Sequence, residues 1–214
     1  MTKKENLKKL KEFWSKFWFI VWKDDSLKGW IISVIFIFVV IKFILFPILH
    51  LLTGTSLPLA IVESCSMHHK DNLFSDFDGW WQNNQDKYKK FNIDKKDFQD
   101  FPFIKGFTKG DILFITKPKI KDIGLGDIII FNARTSGIAH PVIHRVISIN
   151  QDLETGEKIF STIGDNNSGQ ISSEKAITEE QIIGKAKIKL VPYAGWIKLI
   201  FFEPFQPSSK RGFC

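Results

Sequence analysis

Three short segments of this chain hold residue types able to carry acyl transfer: Ser64-Cys65-Ser66-Met67, His144-Arg145-Val146 and Gly164-Asp165-Asn166-Asn167. A serine hydroxyl becomes a nucleophile when an imidazole takes its proton, and a carboxylate on the far ring nitrogen fixes the tautomer that can do so. In an extended segment side chains alternate, so Ser64 and Ser66 share one face while Cys65 turns to the other. One serine can then attack while its neighbour donates to the developing oxyanion. His144 lies in a Val- and Ile-rich run that reads as a strand, with Arg145 on the opposite face. Asp165 follows another such run through Gly164, where a tight turn can present a carboxylate to the imidazole. Each segment alone has a plainer reading: serines capping a turn, a histidine satisfied in a sheet, a Gly-Asp-Asn-Asn turn. Their order and their place after an apolar run set them apart.

The elements that must position them are mostly strands. Segments 59–63, 111–116, 127–132, 142–149, 158–163 and 182–190 are short, rich in Ile and Val, and bounded by Gly, Pro, Asn or Asp. The spacing predicts a mainly β body over 53–214, with partly barrel-like sheets. Residues 70–108 interrupt it with clustered charge and the rings of Phe74, Phe77, Trp80, Trp81, Tyr88 and Phe91, which predicts a partly helical insertion. Such an apolar insertion is either a cap packed on the domain or a lid that touches the membrane and guides substrate.

Upstream, residues 29–52 form a nearly unbroken apolar run of a length that crosses a hydrocarbon core about 30 Å thick. It reads as a retained transmembrane helix rather than a removable signal peptide, since no small-x-small cleavage site follows it. Lys42 within it is offset by the surrounding apolar residues and can snorkel. Residues 1–28 interleave lysines with Phe13, Trp14, Phe17, Trp18 and Trp22, the pattern of a helix in the headgroup layer. The net charge of +7 arises largely from this tail, so it points to membrane orientation and not to nucleic acid. It predicts a cytoplasmic N-terminus and a body across the membrane.

Two cysteines, Cys65 and Cys214, cannot build a disulfide framework, and Cys65 between two serines is expected to be a small buried filler. His68, His69, His140 and His144 invite a zinc reading, but no HExxH helix or cysteine pair accompanies them. No metal or cofactor is expected. His140 is assigned to a loop, and His68 and His69 to a cleft rim.

With these residues in view the chain resembles the type I signal peptidases of the archaeal and endoplasmic-reticulum branch. The resemblance rests on the anchor, Glu63-Ser64-Cys65-Ser66-Met67, the paired strand starts Gly110-Asp111 and Gly126-Asp127, His144-Arg145-Val146 and Gly164-Asp165-Asn166-Asn167. It implies a membrane-anchored serine endopeptidase that removes signal peptides from exported preproteins, with Ser66 as nucleophile and His144 as general base. Asp165 would be the carboxylate, and Ser64 with the Ser66 N–H the oxyanion hole. The partners it implies are preproteins, the lipid bilayer and the translocation machinery. Relatives carry a second Asp six positions after the first, where this chain has Ile171, so Asp165 is chosen by elimination; Glu174 could serve only if its loop folds back. Other classes consistent with the same residues are a catalytically silent, membrane-tethered module that binds translocating peptides and a serine peptidase with another substrate.

Overall fold

In the computed structural model, which describes residues 3–70, 76–133 and 141–214, the chain divides into two units, 1–52 and 53–214. Phe74 and His140 lie outside the described residues.

The first unit is helical. Helix α1 spans Lys3–Lys23, and three residues later α2 spans Leu27–Val40, with the Ser26 hydroxyl accepting the Gly29 N–H at 3.1 Å as its N-cap. The two helices meet through Phe17 and Trp18, whose rings lie 5.3 and 5.8 Å from that of Phe36, and through the Ser33 hydroxyl, which donates to the Val21 carbonyl at 2.6 Å. A Cβ on Gly29 would stand 2.4 Å from the Asp24 carbonyl oxygen, so this turn closes only around a glycine. A π-helical turn at Ile41–Leu45 leads into α3 at Phe46–Thr53. The π-turn ends two residues before Pro47, which has no N–H to donate and whose ring crowds the preceding turn, and a wider turn absorbs that break. Leu27–Thr53 is a continuous 27-residue helical stretch, long and apolar enough to cross a membrane. The Lys42 ammonium lies 5.7 and 5.4 Å from the ring centres of Phe38 and Phe43.

The second unit is built on one six-stranded antiparallel sheet in the order β1-β2-β6-β3-β4-β5. Its strands are β1 Leu59–Ile61, β2 Ile112–Thr116, β3 Ile128–Phe131, β4 Val142–Gln151, β5 Lys158–Ile163 and β6 Ile182–Val191. Each falls within about two residues of a segment expected from the sequence. All four residues of β3 are buried, as an unbroken Ile-Ile-Ile-Phe run in a strand covered on both faces requires. The paired Gly-Asp motifs work as strand starters. Gly110 and Gly126 take φ of +92° and +81°, and the following carboxylates gather loose ends: Asp111 accepts the N–H groups of Thr108 and Tyr193 at 3.0 and 3.2 Å, and Asp127 accepts that of Gly124 at 2.8 Å.

The insertion forms α4, Phe77–Lys89, and α5, Lys95–Gln99. Asp76 and Asp94 cap them, the latter through a reciprocal capping box with Asp97. Trp80, Trp81, Tyr88, Ile93 and Phe98 form a buried cluster with Ile147 of β4 and Ile163 of β5. The insertion is therefore a cap packed on the sheet. Near the other end of the chain, helix α6, Trp196–Phe202, seats Trp196 over Gly110, its indole N–H donating to the Lys109 carbonyl at 3.0 Å, and leaves Ile197, Ile200 and Phe201 exposed. One expectation fails here. Cys65 is bonded to Cys214 across 149 positions of sequence, with the two Cα atoms 5.5 Å apart, so it is a crosslink and not a filler.

Candidate active site

Ser66 sits in a turn rather than in the extended segment its sequence predicts. The His68 N–H donates to the Cys65 carbonyl at 3.0 Å, and Met67 is buried in the core beneath β1 and β2. The bend keeps the predicted pairing: the Ser64 and Ser66 hydroxyls lie 3.1 Å apart, and Cys65 is directed to its disulfide partner. The Gly164–Asn167 turn holds this segment from the side. The Asn166 N–H donates to the Ser66 carbonyl at 2.8 Å, and the Asn166 side-chain amide donates to the Cys65 carbonyl at 3.0 Å. A Cβ on Gly164 would come within 2.8 Å of the Ser66 carbonyl oxygen, so the approach depends on glycine.

His144 is on β4, whose Arg145 pairs with Ile163 of β5. The residue after Ile163 is Gly164, so the turn that holds Ser66 follows directly on the strand paired with β4. His144 is buried, and its Nδ1 meets Glu174 Oε1 in a short hydrogen bond. Glu174 is itself fully buried at the end of a 3₁₀ turn, Ser172–Glu174. A buried carboxylate is tolerable only with donors around it. Glu174 has the imidazole and the Thr162 hydroxyl, at 3.4 Å, on one oxygen and the Ile171 N–H, at 2.7 Å, on the other. The loop reaches this place by folding back onto β5, where Phe160 and Ile177 exchange backbone bonds of 2.9 and 2.8 Å and the Ser161 hydroxyl donates to the Lys175 carbonyl at 2.9 Å.

The expected pairing of Asp165 with His144 is not the one the structure makes. Adjacent strand residues point to opposite faces, and Asp165 lies on the Arg145 face. There it takes Arg145 Nε and Nη2 at 2.9 and 2.7 Å, the Tyr88 hydroxyl at 2.8 Å and His69 Nε2 at 2.9 Å. Burial alone would raise the Asp165 pKa, but the Arg145 guanidinium, helped by His69, overrides it and holds the carboxyl well below the usual carboxylate range. The competing physics is simple. A buried guanidinium needs a compensating carboxylate, so Arg145 takes Asp165 and the His144 imidazole is left to Glu174. The sequence signal was Arg145 itself, a full cation beside His144 and demanding an acid of its own.

His69 is also not on a rim. It is 1% exposed, stacked on Trp80 with ring centres 3.7 Å apart, and burial lowers its pKa despite the opposing pull of Asp165. His69 and His144 thus have separate carboxylate partners on opposite faces of the sheet. Lys109 is buried too, its ammonium paired with Glu203 at 2.6 Å. The arrangement offers two adjacent hydroxyls, the exposed Ser64 and the half-buried Ser66, with a carboxylate-oriented imidazole on the neighbouring strand.

Among known proteins, the chain is similar to the signal peptidase complex catalytic subunit SEC11C of Homo sapiens, 29% identical over 99 residues that make up 44% of this chain and 50% of that protein. The SEC11C of Mus musculus matches to the same extent. SEC11 of Lachancea thermotolerans is 29% identical over 104 residues, 45% of this chain and 59% of that protein. The chain spans about half the length of the curated relatives it matches. No protein-family model matches.

Proposed function

We propose that this chain is a membrane-anchored serine endopeptidase that removes signal peptides from exported preproteins. What supports the reading is the Ser66 turn, held by Asn166 of the turn that follows β5, together with the His144–Glu174 pair on the adjoining β4, in a chain similar to signal peptidase catalytic subunits. With Nδ1–H donated to Glu174, the lone pair of His144 is on Nε2, the atom that takes the Ser66 proton as Oγ attacks the scissile carbonyl. The oxyanion is received by the Ser64 hydroxyl and the Ser66 N–H, the peptide amine leaves with the proton from His144, and water hydrolyses the acyl-enzyme. Asp165 is not part of this relay; it holds Arg145.

Leu27–Thr53 is the anchor in this reading. The lysines that precede it put the N-terminus in the cytoplasm and the 53–214 unit on the extracytoplasmic side, or in the lumen of the endoplasmic reticulum in a eukaryote. The bilayer and preproteins emerging from translocation are its partners. The deciding experiment is cleavage of a preprotein in detergent by the wild-type chain and by Ser66→Ala. The variant is expected to lose about four orders of magnitude in rate or more; a variant as active as wild type overturns the assignment.

A further inference from the structure

Helix α4 of the insertion reaches the Gly164–Asn167 turn through Lys87 as well as through Tyr88. Lys87 is half-buried at the inner edge of the helix, and its ammonium donates to three acceptors: the Asn84 side-chain carbonyl at 2.9 Å, the Asn167 carbonyl at 3.0 Å, and, at short range, the Asp165 carbonyl. An ammonium has three N–H groups, so all are spent. Two of them fall on the Gly164–Asn167 turn, which Asn167 also closes through its N–H to the Gly164 carbonyl at 2.9 Å. Between those two acceptors lies Asn166, the residue that holds Ser66 and Cys65 by their carbonyls.

The geometry points to Lys87 as a positioning residue for Ser66, which makes the insertion a working part of the active site and not only a cover on it. Rotating or sliding the 164–167 turn moves the donor to Ser66, and the ammonium pins that turn on either side of Asn166. Trp80, two turns earlier on the same helix, adds a second contact by stacking on His69, three residues after Ser66. A nucleophile displaced by about 1 Å can lose about 100-fold in rate, which is why a clamp at two removes matters. The groups facing the Lys87 ammonium are Asp165 and Arg145, Asn84 on its own helix, and the rings of Trp80 and Tyr88, at 6.0 and 5.3 Å. Partial burial brings its pKa down to about 8, with Asp165 opposing and Arg145 adding to the fall. Above that pH an amine with two N–H groups faces three acceptors, so the clamp slackens.

This inference rests on the peptidase reading, and its test separates the two. The full chain in detergent is compared as wild type, Lys87→Met and Lys89→Met, the last an exposed lysine of the same helix. Expected are a fall of about 10- to 100-fold in kcat for Lys87→Met with KM within about two-fold, and wild-type rates for Lys89→Met. The decline of wild-type kcat as pH rises through about 8 should be missing from Lys87→Met. Amide exchange at Asn166 should be faster in Lys87→Met while protection along β4 is kept. A Lys87→Met chain with unchanged kcat, or with Asn166 protected as in wild type, overturns the positioning role. If wild type itself does not cleave, the peptidase reading fails, and Asn166 exchange alone then decides whether Lys87 holds the turn.

Discussion

At the scale of single residues, two carboxylates only nine positions apart do different work, and substitution should separate them. Glu174→Gln keeps the shape of the side chain but no longer holds the imidazole tautomer, so kcat is expected to fall about 10³- to 10⁴-fold with the melting temperature little changed. Asp165→Asn leaves Arg145 buried without its anion, a change worth about 3–5 kcal/mol of stability, to be measured as a lower denaturant midpoint. Cleavage crippled by Asp165→Asn at full stability and spared by Glu174→Gln would return the relay to Asp165. Ser66 and His144 could be singled out as candidates from the sequence because residue types and flanking residues are local facts. Glu174 was not. Its role depends on a loop doubling back on β5, and nothing in the Ser172-Ser173-Glu174 run announces that closure.

At the scale of elements, the six described strands were readable, because Ile- and Val-rich runs and the turn residues that bound them act within a few residues. The insertion was readable as partly helical but not in its contacts, since which face of α4 lies inward depends on what Ile147 and Ile163 offer it. Its aromatic residues are core. Trp81→Ala should therefore cost about 3–5 kcal/mol, read in chemical denaturation, and should depress cleavage of a membrane-inserted preprotein and of a short soluble peptide alike. A loss confined to the preprotein would restore the guiding role. The π-turn at Ile41–Leu45 was not foreseen; the widened register is a backbone response that hydropathy does not register.

At the scale of the whole molecule, the 53–214 unit should weaken in acid. Burial and Arg145 together leave Asp165 with a depressed folded pKa, so its contribution is complete above the ordinary carboxylate pKa near 4 and is lost as pH falls below that toward the folded value. His69, buried and lowered, adds to the same slope below about 6.5, because the unfolded chain takes up its proton first. Thermal melts from pH 7 to pH 3 should show a steady decline, much of it absent in Asp165→Asn. For orientation, a cysteine placed at Lys158 should be reached by an impermeant reagent from outside and not from the cytoplasm; the opposite labelling reverses the proposed topology. The bond from Cys65 to Cys214 joins the residue before Ser66 to a segment far along the chain, and such bonds persist only where thiols are kept oxidised. A chain still in the cytosol would hold both thiols reduced, with the nucleophile's neighbour untied. On the proposed topology, closure of this crosslink beside Ser66 would wait for arrival across the membrane, in the compartment where preproteins emerge.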